Sequence, residues 1–520
     1  MGQDDKKSGA SVSIADVDVE NGITSYISPT TGKALHLAET KDEALDYIMS
    51  QDEERPILDE ETDRKLLFKI DCCVLPVVCL LYAVQFMDKS SNAMAAVMGL
   101  REDLNMEGNM YSWTGSAFYL GYLAFELPCS YTLQKFPVIT TVSIFIVLWG
   151  IVLCLHAVPN YEGFIALRTL LGALESSVTP AFVIVTSQWY KKEEAFFRTA
   201  LWFSFNGVGV MLGSSAVALS LYNNMDGYAI EAWRLIFIIT GAITIFMGFV
   251  VFFHLPNKPT EAWFLTDHEK RLVVERIRSN QQGFGNKTFK KYQLIEAITD
   301  IKTWLYFFIG VATTIPNGGL TNFSSILLHE SFGYGVPETL KIQTVCGAIE
   351  LVGCSLFGYA YKFYPKRLFW ANAANIVVLV GLCLVAFAPD KHAQLGGYCL
   401  FYVCPVVMIC GLSSSASNVA GHTKKVTVNA LFLIGYCTGN LVGPQTFRAE
   451  QAPDYVGAKV AMVICTAFTS VFMAMVWIVM ARENRIRDAK GDNHEQFDKI
   501  EDLEFADLTD KENPLFRYTI

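Results

Sequence analysis

Long apolar runs alternate with short polar links along most of the chain. About twelve runs have the roughly 20 mainly apolar residues that a membrane-spanning helix needs. A charged stretch from Leu255 to Asp300 divides these runs six and six. The pattern therefore predicts an all-α polytopic membrane protein with two six-helix halves. The predicted spans are 74–99, 111–134, 138–157, 163–188, 198–221, 233–254, 302–328, 338–362, 367–388, 396–420, 427–448 and 457–481.

The polar segments around the runs give the remaining organisation. The first 60 residues are rich in Ser, Thr, Asp, Glu and Gly, a composition that buries too little apolar surface to fold alone. The tail after Arg487 is predicted to be disordered for the same reason. The predicted parts are a disordered N-terminal tail 1–65, a six-helix half 66–254, a middle loop 255–300, a second six-helix half 301–482 and a C-terminal tail 483–520.

Lys and Arg near the helix ends predict the orientation, because cytoplasmic links carry an excess of these residues. With the N-terminus inside, the middle loop and the even-numbered links contain most of the cations, including Lys191, Lys366 and Lys424. The opposite side has little more than Arg101, Lys391 and Arg448. Both termini are therefore predicted to be cytoplasmic.

Composition agrees with a chain that faces lipid. Of 520 residues, 52% are apolar and only 18% are charged, whereas soluble proteins carry about 25% charged residues. The net charge of −10 speaks against a nucleic-acid partner, which requires a basic patch. The 13 cysteines lack metal-ligand spacing and stand mostly in apolar runs, so neither a disulfide framework, a metal site nor a cofactor is expected.

Two six-helix blocks joined by a long basic loop are typical of secondary transporters with repeated halves and a midplane site. A channel, a polytopic enzyme and a receptor are the competing classes. No His or Asp cluster suited to an enzyme stands at the predicted membrane surface, and a seven-helix receptor has too few spans. The pattern favours a transporter.

Four charges in the first half carry the candidate chemistry. Asp88 and Lys89 lie near the middle of the first span, and Arg168 and Glu175 lie in the fourth. Seven residues separate Arg168 from Glu175, so they share a helix face about 10 Å apart. Ionisable residues at membrane depth are functional candidates by default. We expect Asp88 and Glu175 to carry protons and Arg168 to be the counter-charge of Glu175. The alternative is two permanent salt bridges that only hold the helices together.

The second half contributes polar groups with few charges. Glu350 is its only deep carboxylate, and Asn317 and Asn440 lie near mid-span. Pro316 and the paired glycines after Asn317 predict a broken seventh helix, which is tolerated where it lines a cavity. Tyr122 of the second span either lines the same cavity or packs in the core.

Several short blocks of residues stand in order along the chain from about Ile57 to Arg487. Because it contains these blocks, the chain resembles the fungal allantoate-permease-like transporters. These belong to the anion:cation symporter family of the major facilitator superfamily. The resemblance implies the major facilitator fold and uptake of small organic anions, such as allantoate, vitamin-like or sulfur-containing compounds, commonly driven by protons. The blocks are Asp88-Lys89, Gly121-Tyr122, Glu126-Leu127-Pro128, Trp149-Gly150, Arg168 to Glu175, Thr179-Pro180, Leu255-Pro256, Ile315-Pro316-Asn317-Gly318-Gly319, Ser417 to Lys425 and Pro444 to Arg448.

One block departs from the family, where Asp-Arg is common at the position of Asp88-Lys89. A lysine keeps the charge but lacks the planar fork that grips a carboxylate with two hydrogen bonds. Lys89 is predicted to pair with the negative group of the substrate, with Asn317 and Asn440 as polar contacts and Tyr122 and Glu350 beside them.

The predicted function is proton-coupled uptake of a small organic anion by a monomer. The proton is the only coupling ion expected, and membrane lipid is the other partner. The plasma membrane is the predicted location, with the endoplasmic reticulum or the vacuole as alternatives. An uncoupled uniporter, a multidrug exporter and a nutrient-sensing receptor of the same fold remain as alternatives.

Overall fold

The computed structural model is a bundle of long helices, and it describes residues 58–158, 160–278, 290–489, 508–513 and 516–520 together with three short strands. The strands, β1 Ile14–Asp18, β2 Ile23–Ile27 and β3 Ala34–His36, form an antiparallel sheet in that order. The hydrophobic pattern does not predict them. The other residues before 58 lie outside the described part, so the disorder of that tail stays a prediction.

Eight helices make up the first half. The first begins after Asp59, whose carboxylate caps it by accepting a hydrogen bond from the Thr62 amide at 3.2 Å. Asn160 caps the fifth helix in the same way. The helices are α1 Glu60–Cys73, α2 Leu75–Ala95, α3 Met110–Lys135, α4 Val138–Leu155, α5 Tyr161–Glu175, α6 Val178–Trp189, α7 Lys192–Met211 and α8 Ala232–His254.

The middle segment and the second half contain nine further helices. Two of them, α9 Asp267–Arg278 and α10 Lys291–Thr299, lie in the segment predicted as the middle loop. The others are α11 Ile301–Ile326, α12 Val336–Ala360, α13 Arg367–Phe387, α14 Lys391–Phe401, α15 Pro405–Ser417, α16 His422–Val442 and α17 Val456–Ala489.

Shorter helical pieces extend several of these elements. Wide π-helical turns follow α7 and α11 at Leu212–Leu219 and Leu327–Ser331. After α2 the chain continues through Ala96–Leu100, where it kinks at Met98 and Gly99. The remaining short helices are Arg101–Asp103, Ser220–Asn223, Met225–Gly227, Pro259–Glu261, Gly443–Thr446 and Ala449–Gln451.

Ten helical stretches in the described part are long and apolar enough to cross a membrane. Two more helices, α3 and α11, are 26 residues long each and stand where the sequence predicts the second and seventh spans. Apolar side chains cover the outer surface of the bundle, as on α8, where Phe246 and Phe253 are exposed. An apolar outer surface of this kind is what a bundle immersed in lipid requires.

Helix breaks differ from the sequence prediction in three places. The seventh span is not broken, because α11 runs continuously through Pro316. Its glycines serve close packing instead: a Cβ on Gly318 would lie 2.6 Å from the backbone of Asn440 on α16. Short turns of two and three residues stand within the fourth and tenth predicted spans, between α5 and α6 and between α14 and α15, but each span continues as one helical stretch.

One end of the bundle, called here the terminal face, brings together α1, the middle segment and the end of α17. Lys69 of α1 pairs with Glu269 of α9 at 2.7 Å, and Lys302 at the start of α11 pairs with Glu483 of α17 at 3.0 Å. Toward the opposite face the two halves are hydrogen-bonded to each other. The contacts there are Asn92–Asn322 at 3.3 Å, Tyr111 to the Asn322 carbonyl at 2.7 Å, Arg101–Glu330 at 2.5 Å and Ser112 to the Phe447 carbonyl at 3.4 Å.

Residues 508–520 were predicted to be part of a disordered tail, but their described portion, called here the docked tail, packs on the terminal face. Asp510 is fully buried and pairs with Lys424 of α16 at 2.6 Å and with Lys302 at 3.1 Å. Tyr518 donates a hydrogen bond to Asp510 at 2.6 Å, and the Thr519 amide donates to Asn418 at 2.7 Å. The sequence prediction failed because the charges that fix this segment are far away in the chain.

Replacing Asp510 with asparagine should release the docked tail. Burial alone would raise the pKa of the Asp510 carboxyl, but the ammonium groups of Lys302 and Lys424 and the Tyr518 hydroxyl hold it at about 2. Because this pKa lies below the ordinary 3.8, the stabilisation is present above that value and is lost as the pH falls toward 2. It is worth about 2 kcal/mol.

Hydrogen exchange of residues 508–520 measures the effect. Protection should fall in the Asp510→Asn variant and stay constant in the wild type between about pH 5 and about pH 8. The exposed pair Lys65–Glu61 offers a control, since Glu61→Gln should leave this exchange unchanged. Equal protection in the wild type and Asp510→Asn would show that the ion pairs do not hold the segment.

Candidate functional site

A buried ion pair joins the first and fourth predicted spans. Lys89 of α2 contacts Glu175 at 2.6 Å, and the Gln85 side-chain amide donates to the same carboxylate oxygen at 2.8 Å. The Glu175 side chain is fully buried and that of Lys89 is 11% exposed. Gln85 and Lys89 stand four residues apart on α2, so both point to one face of the helix. The direct partner of Glu175 is therefore Lys89, and not Arg168 as expected from the sequence.

Asp88 and Arg168 form a second, adjacent charge group. Asp88 accepts a hydrogen bond from the Trp149 indole of α4. Arg168 acts on Asp88 through space, and its guanidinium stands 5.3 Å and 5.4 Å from the rings of Phe164 and Phe237. Among the described residues, its Nε and Nη2 have no hydrogen-bond partner. This cation therefore has hydrogen-bonding capacity that the protein does not use in this conformation.

Two glycines set the position of the charges on α5. A Cβ on Gly172 would clash with the Phe118 carbonyl of α3, and one on Gly121 would clash with the Thr169 carbonyl of α5. The backbones of α3 and α5 are thus in direct contact, as small residues allow in membrane helices. Glu175 follows about one turn after this crossing, so the close approach of the two backbones positions it.

Amide and aromatic groups of both halves meet beside the ion pair. Asn317 of α11 donates to Asn440 of α16 at 3.0 Å, and Asn440 donates to the Tyr436 carbonyl at 2.9 Å. The Tyr436 ring stands 6.2 Å from that of Tyr119 and 6.5 Å from that of Tyr122. The structure therefore brings Asn317, Asn440 and Tyr122 together, with Tyr436 as the link between the halves.

Glu350 of α12 belongs to a neighbouring site between the halves. It lines a small cavity with Phe86 and Ser90 of α2 and with Asn317 and Gln343. Its Oε1 has no hydrogen-bond partner among the described residues. The cavity has a volume of about 30 Å³, room for a water molecule or two but not for an organic anion. This conformation is therefore occluded around Glu350.

Sequence reasoning missed three members of this site. Gln85 could have been found from its four-residue spacing to Lys89. Trp149 and Tyr436 carry no such signal, because their roles depend on how α4 and α16 pack against α2 and α3. In the described part of the chain no cluster of His, Cys, Asp or Glu could hold a metal ion.

The arrangement can exchange one ion pair for another. A carboxylate that holds a buried ammonium competes with any anion for that cation, and protonating the carboxylate ends the competition. Such a site lies between two helical halves that are joined toward one face of the bundle. This is the geometry of a secondary transporter with a midplane site.

Residues 78–444 match the family model described as Major Facilitator Superfamily. The chain belongs to this superfamily of membrane transporters. It is 48% identical to the "Allantoate permease" of Saccharomyces cerevisiae, over 99% of this chain and 96% of the relative. An uncharacterized transporter of Schizosaccharomyces pombe is 48% identical over 92% of this chain and 93% of its own length. These relatives confirm the resemblance to allantoate-permease-like fungal transporters, and they are named as transporters rather than enzymes.

Solved structures support the fold. A proton:xylose symporter aligns with a TM-score of 0.61 at 12% identity, over 79% of this chain and 96% of its own. The fucose:proton symporter of E. coli aligns with a TM-score of 0.53 at 14% identity, over 78% and 98%. At such identities the likeness concerns the fold alone.

Proposed function

We propose that this chain imports a small organic anion together with protons, and that allantoate is the first substrate to test. The name of the S. cerevisiae relative supports the choice of allantoate. In this proposal all twelve long helical segments cross the membrane and both termini are cytoplasmic, so that the terminal face is the inner face. The excess of Lys and Arg on that face supports this orientation. The plasma membrane is the proposed location, and a monomer contains both halves of the site.

The buried pair between Lys89 and Glu175, at 2.6 Å, is the observation that carries the proposal. When a proton from outside neutralises Glu175, Lys89 loses its anionic partner. The substrate carboxylate then takes the place of Glu175 against the ammonium group. A charged site without a partner is costly in a low-dielectric interior, so proton and anion favour each other's binding.

Release reverses these steps on the cytoplasmic side. Near neutral pH the proton leaves Glu175, and the restored carboxylate competes with the bound anion for Lys89. The anion is displaced and the ion pair re-forms. Only the empty paired site and the fully loaded site leave no unpaired buried charge, which limits movement of the halves to those two states.

The neighbouring groups supply contacts and a second titrating carboxylate. Asp88, held by Trp149, is the second proton carrier, and Arg168 supplies its positive charge. Asn317, Asn440 and Tyr122 are polar contacts for the substrate from both halves. Glu350 lies at the edge of the site, where its carboxylate selects against bulky or strongly anionic substrates. No resident cofactor is part of this mechanism.

Uptake of radiolabelled allantoate into cells that lack their own allantoate uptake tests the proposal. Uptake should rise several-fold as external pH falls from about 7.5 to about 5, the range in which buried carboxylates bind protons. It should collapse when a protonophore removes the gradient, and unlabelled organic anions should compete for it.

Other outcomes point to the alternatives. Uptake that ignores both pH and protonophore would contradict symport and indicate a uniporter. Uptake that rises when the protonophore is added would indicate an exporter. Proton-dependent uptake of another labelled organic anion, without transport of allantoate, would retain the mechanism but change the substrate.

A further inference from the structure

One further buried carboxylate of the first half lies outside the site described above. Glu126 of α3 is only 2% exposed, and neither of its oxygens has a hydrogen-bond partner among the described residues. An unpaired charge at such depth costs several kcal/mol, whereas a neutral carboxylic acid costs far less. In this conformation Glu126 is therefore protonated, and it is not a partner in a structural ion pair among the described residues.

Glu126 belongs to a stripe on α3 that continues from the ion pair toward the terminal face. Tyr119, Tyr122, Glu126 and Cys129 are spaced by three or four residues, so they share one face of the helix. Tyr119 and Tyr122 meet Tyr436 of the second half. Glu126 follows one turn after Tyr122, about 6 Å nearer the terminal face.

The fourth predicted span makes a short turn beside this stripe. Helix α5 ends at Glu175 itself, and α6 begins at Val178, with Ser176 and Ser177 between them in helical backbone conformation. The Tyr82 hydroxyl of α2 stands 3.5 Å from the Thr179 hydroxyl of α6. Tyr82 interacts with Glu175, and Tyr122 interacts with Glu126. Hydroxyl groups therefore stand near both carboxylates.

We propose that Glu126 is a proton-binding site between Glu175 and the cytoplasm, and that it relays the proton that Glu175 releases. This inference rests on the proposed proton coupling. Glu126 first loses its proton to water at the terminal face. Its carboxylate then takes up, by way of intervening water, the proton that leaves Glu175. Glu126 loses one proton and gains one, so water is the only other reactant.

The described groups near Glu126 carry no fixed positive charge, so its carboxyl group can gain and lose a proton without breaking an ion pair. The titratable neighbours are Tyr122 and Cys129 on its own helix and Cys437 of α16. The described residues include no salt bridge to Glu126. Its protonation therefore depends on access of water from the terminal face, which changes as the halves move.

Infrared spectroscopy of the purified full chain in lipid vesicles, without substrate, tests the site directly. Raising the pH from about 5 to about 9 should remove a protonated-carboxyl band. This band should be absent from Glu126→Gln, present in Glu126→Asp, and unaffected in Glu107→Gln, which removes an exposed carboxylate. A Glu126 band that stays constant over the whole range, or that is absent at every pH, would overturn the proposal.

Transport by the same vesicles tests the relay. With allantoate and an inward proton gradient, Glu126→Gln should reduce concentrative uptake at least tenfold and abolish its dependence on internal pH. Exchange of internal for external allantoate should continue, which shows that the variant is folded. Unchanged dependence on internal pH in Glu126→Gln would overturn the relay. A wild type that ignores the gradient would instead contradict the proposed symport, and the infrared titration would still decide whether Glu126 binds a proton.

Discussion

Glu175→Gln should abolish accumulation of substrate while leaving exchange across the membrane intact. Glutamine keeps the shape of the side chain and the hydrogen bond to Gln85, but it removes the anionic partner of Lys89. The site then remains in the state that resembles the protonated one, so the substrate binds and exchanges but no proton is released to drive net uptake. A loss of about 100-fold in concentrative uptake is the expected scale, since coupling between two binding sites is worth up to about 3 kcal/mol.

Vesicles loaded with allantoate measure both activities in one preparation. The matched control is Glu162→Gln, which changes an exposed carboxylate in the first turn of the same helix and should transport like the wild type. A Glu175→Gln variant that still concentrates substrate against a gradient would remove Glu175 from the mechanism. A variant that loses exchange as well would favour a structural salt bridge between α2 and α5.

Gly172→Leu should prevent α3 and α5 from packing and leave little folded protein in the membrane. Any side chain at Gly172 meets the Phe118 carbonyl and, at 3.0 Å, the Tyr122 amide. Backbone atoms cannot move aside as a flexible side chain can, so the helices must separate. Gly172→Ala should cost about 1–3 kcal/mol, the usual range for overpacking, and should lower transport by displacing Glu175 from Lys89.

Thermal unfolding in detergent, monitored by size-exclusion chromatography, measures this effect. Gly396→Ala is the control, because a Cβ there meets nothing within 4 Å and alanine favours the helix. Wild-type stability in Gly172→Ala would mean that the two helices do not approach as closely as described.

The membrane-spanning runs and the candidate charged residues could be predicted from the sequence. The partners of these charged residues could not. A run of 20 apolar residues predicts a helix because no other structure satisfies the backbone in lipid. Asp88, Lys89, Arg168 and Glu175 were recognisable by their depth. That Lys89 rather than Arg168 reaches Glu175 depends on how α2 crosses α5, which no local spacing encodes.

The helix breaks also show that local sequence does not encode tertiary packing. Pro316 and its glycines are breakers by local propensity, yet α11 continues through them because packing against α16 stabilises the helix. The short turn after Glu175 has weaker local signals, two serines and Thr179-Pro180. Tertiary context overrides propensity in both cases. The docked tail is the extreme example, since its polar composition describes a disordered segment and its partners lie elsewhere.

The docked tail also provides a place from which movement of the second half can be measured. The contacts named above between this segment and the rest of the chain, to Lys302, Asn418 and Lys424, all reach the second half, so the segment moves with that half. A spectroscopic probe at Lys511, whose side chain is 40% exposed, reports the position of the second half without touching a transmembrane helix. A second probe can be attached at Lys135, the exposed last residue of α3. The distance between the two probes across the terminal face then reports how the two halves move relative to each other.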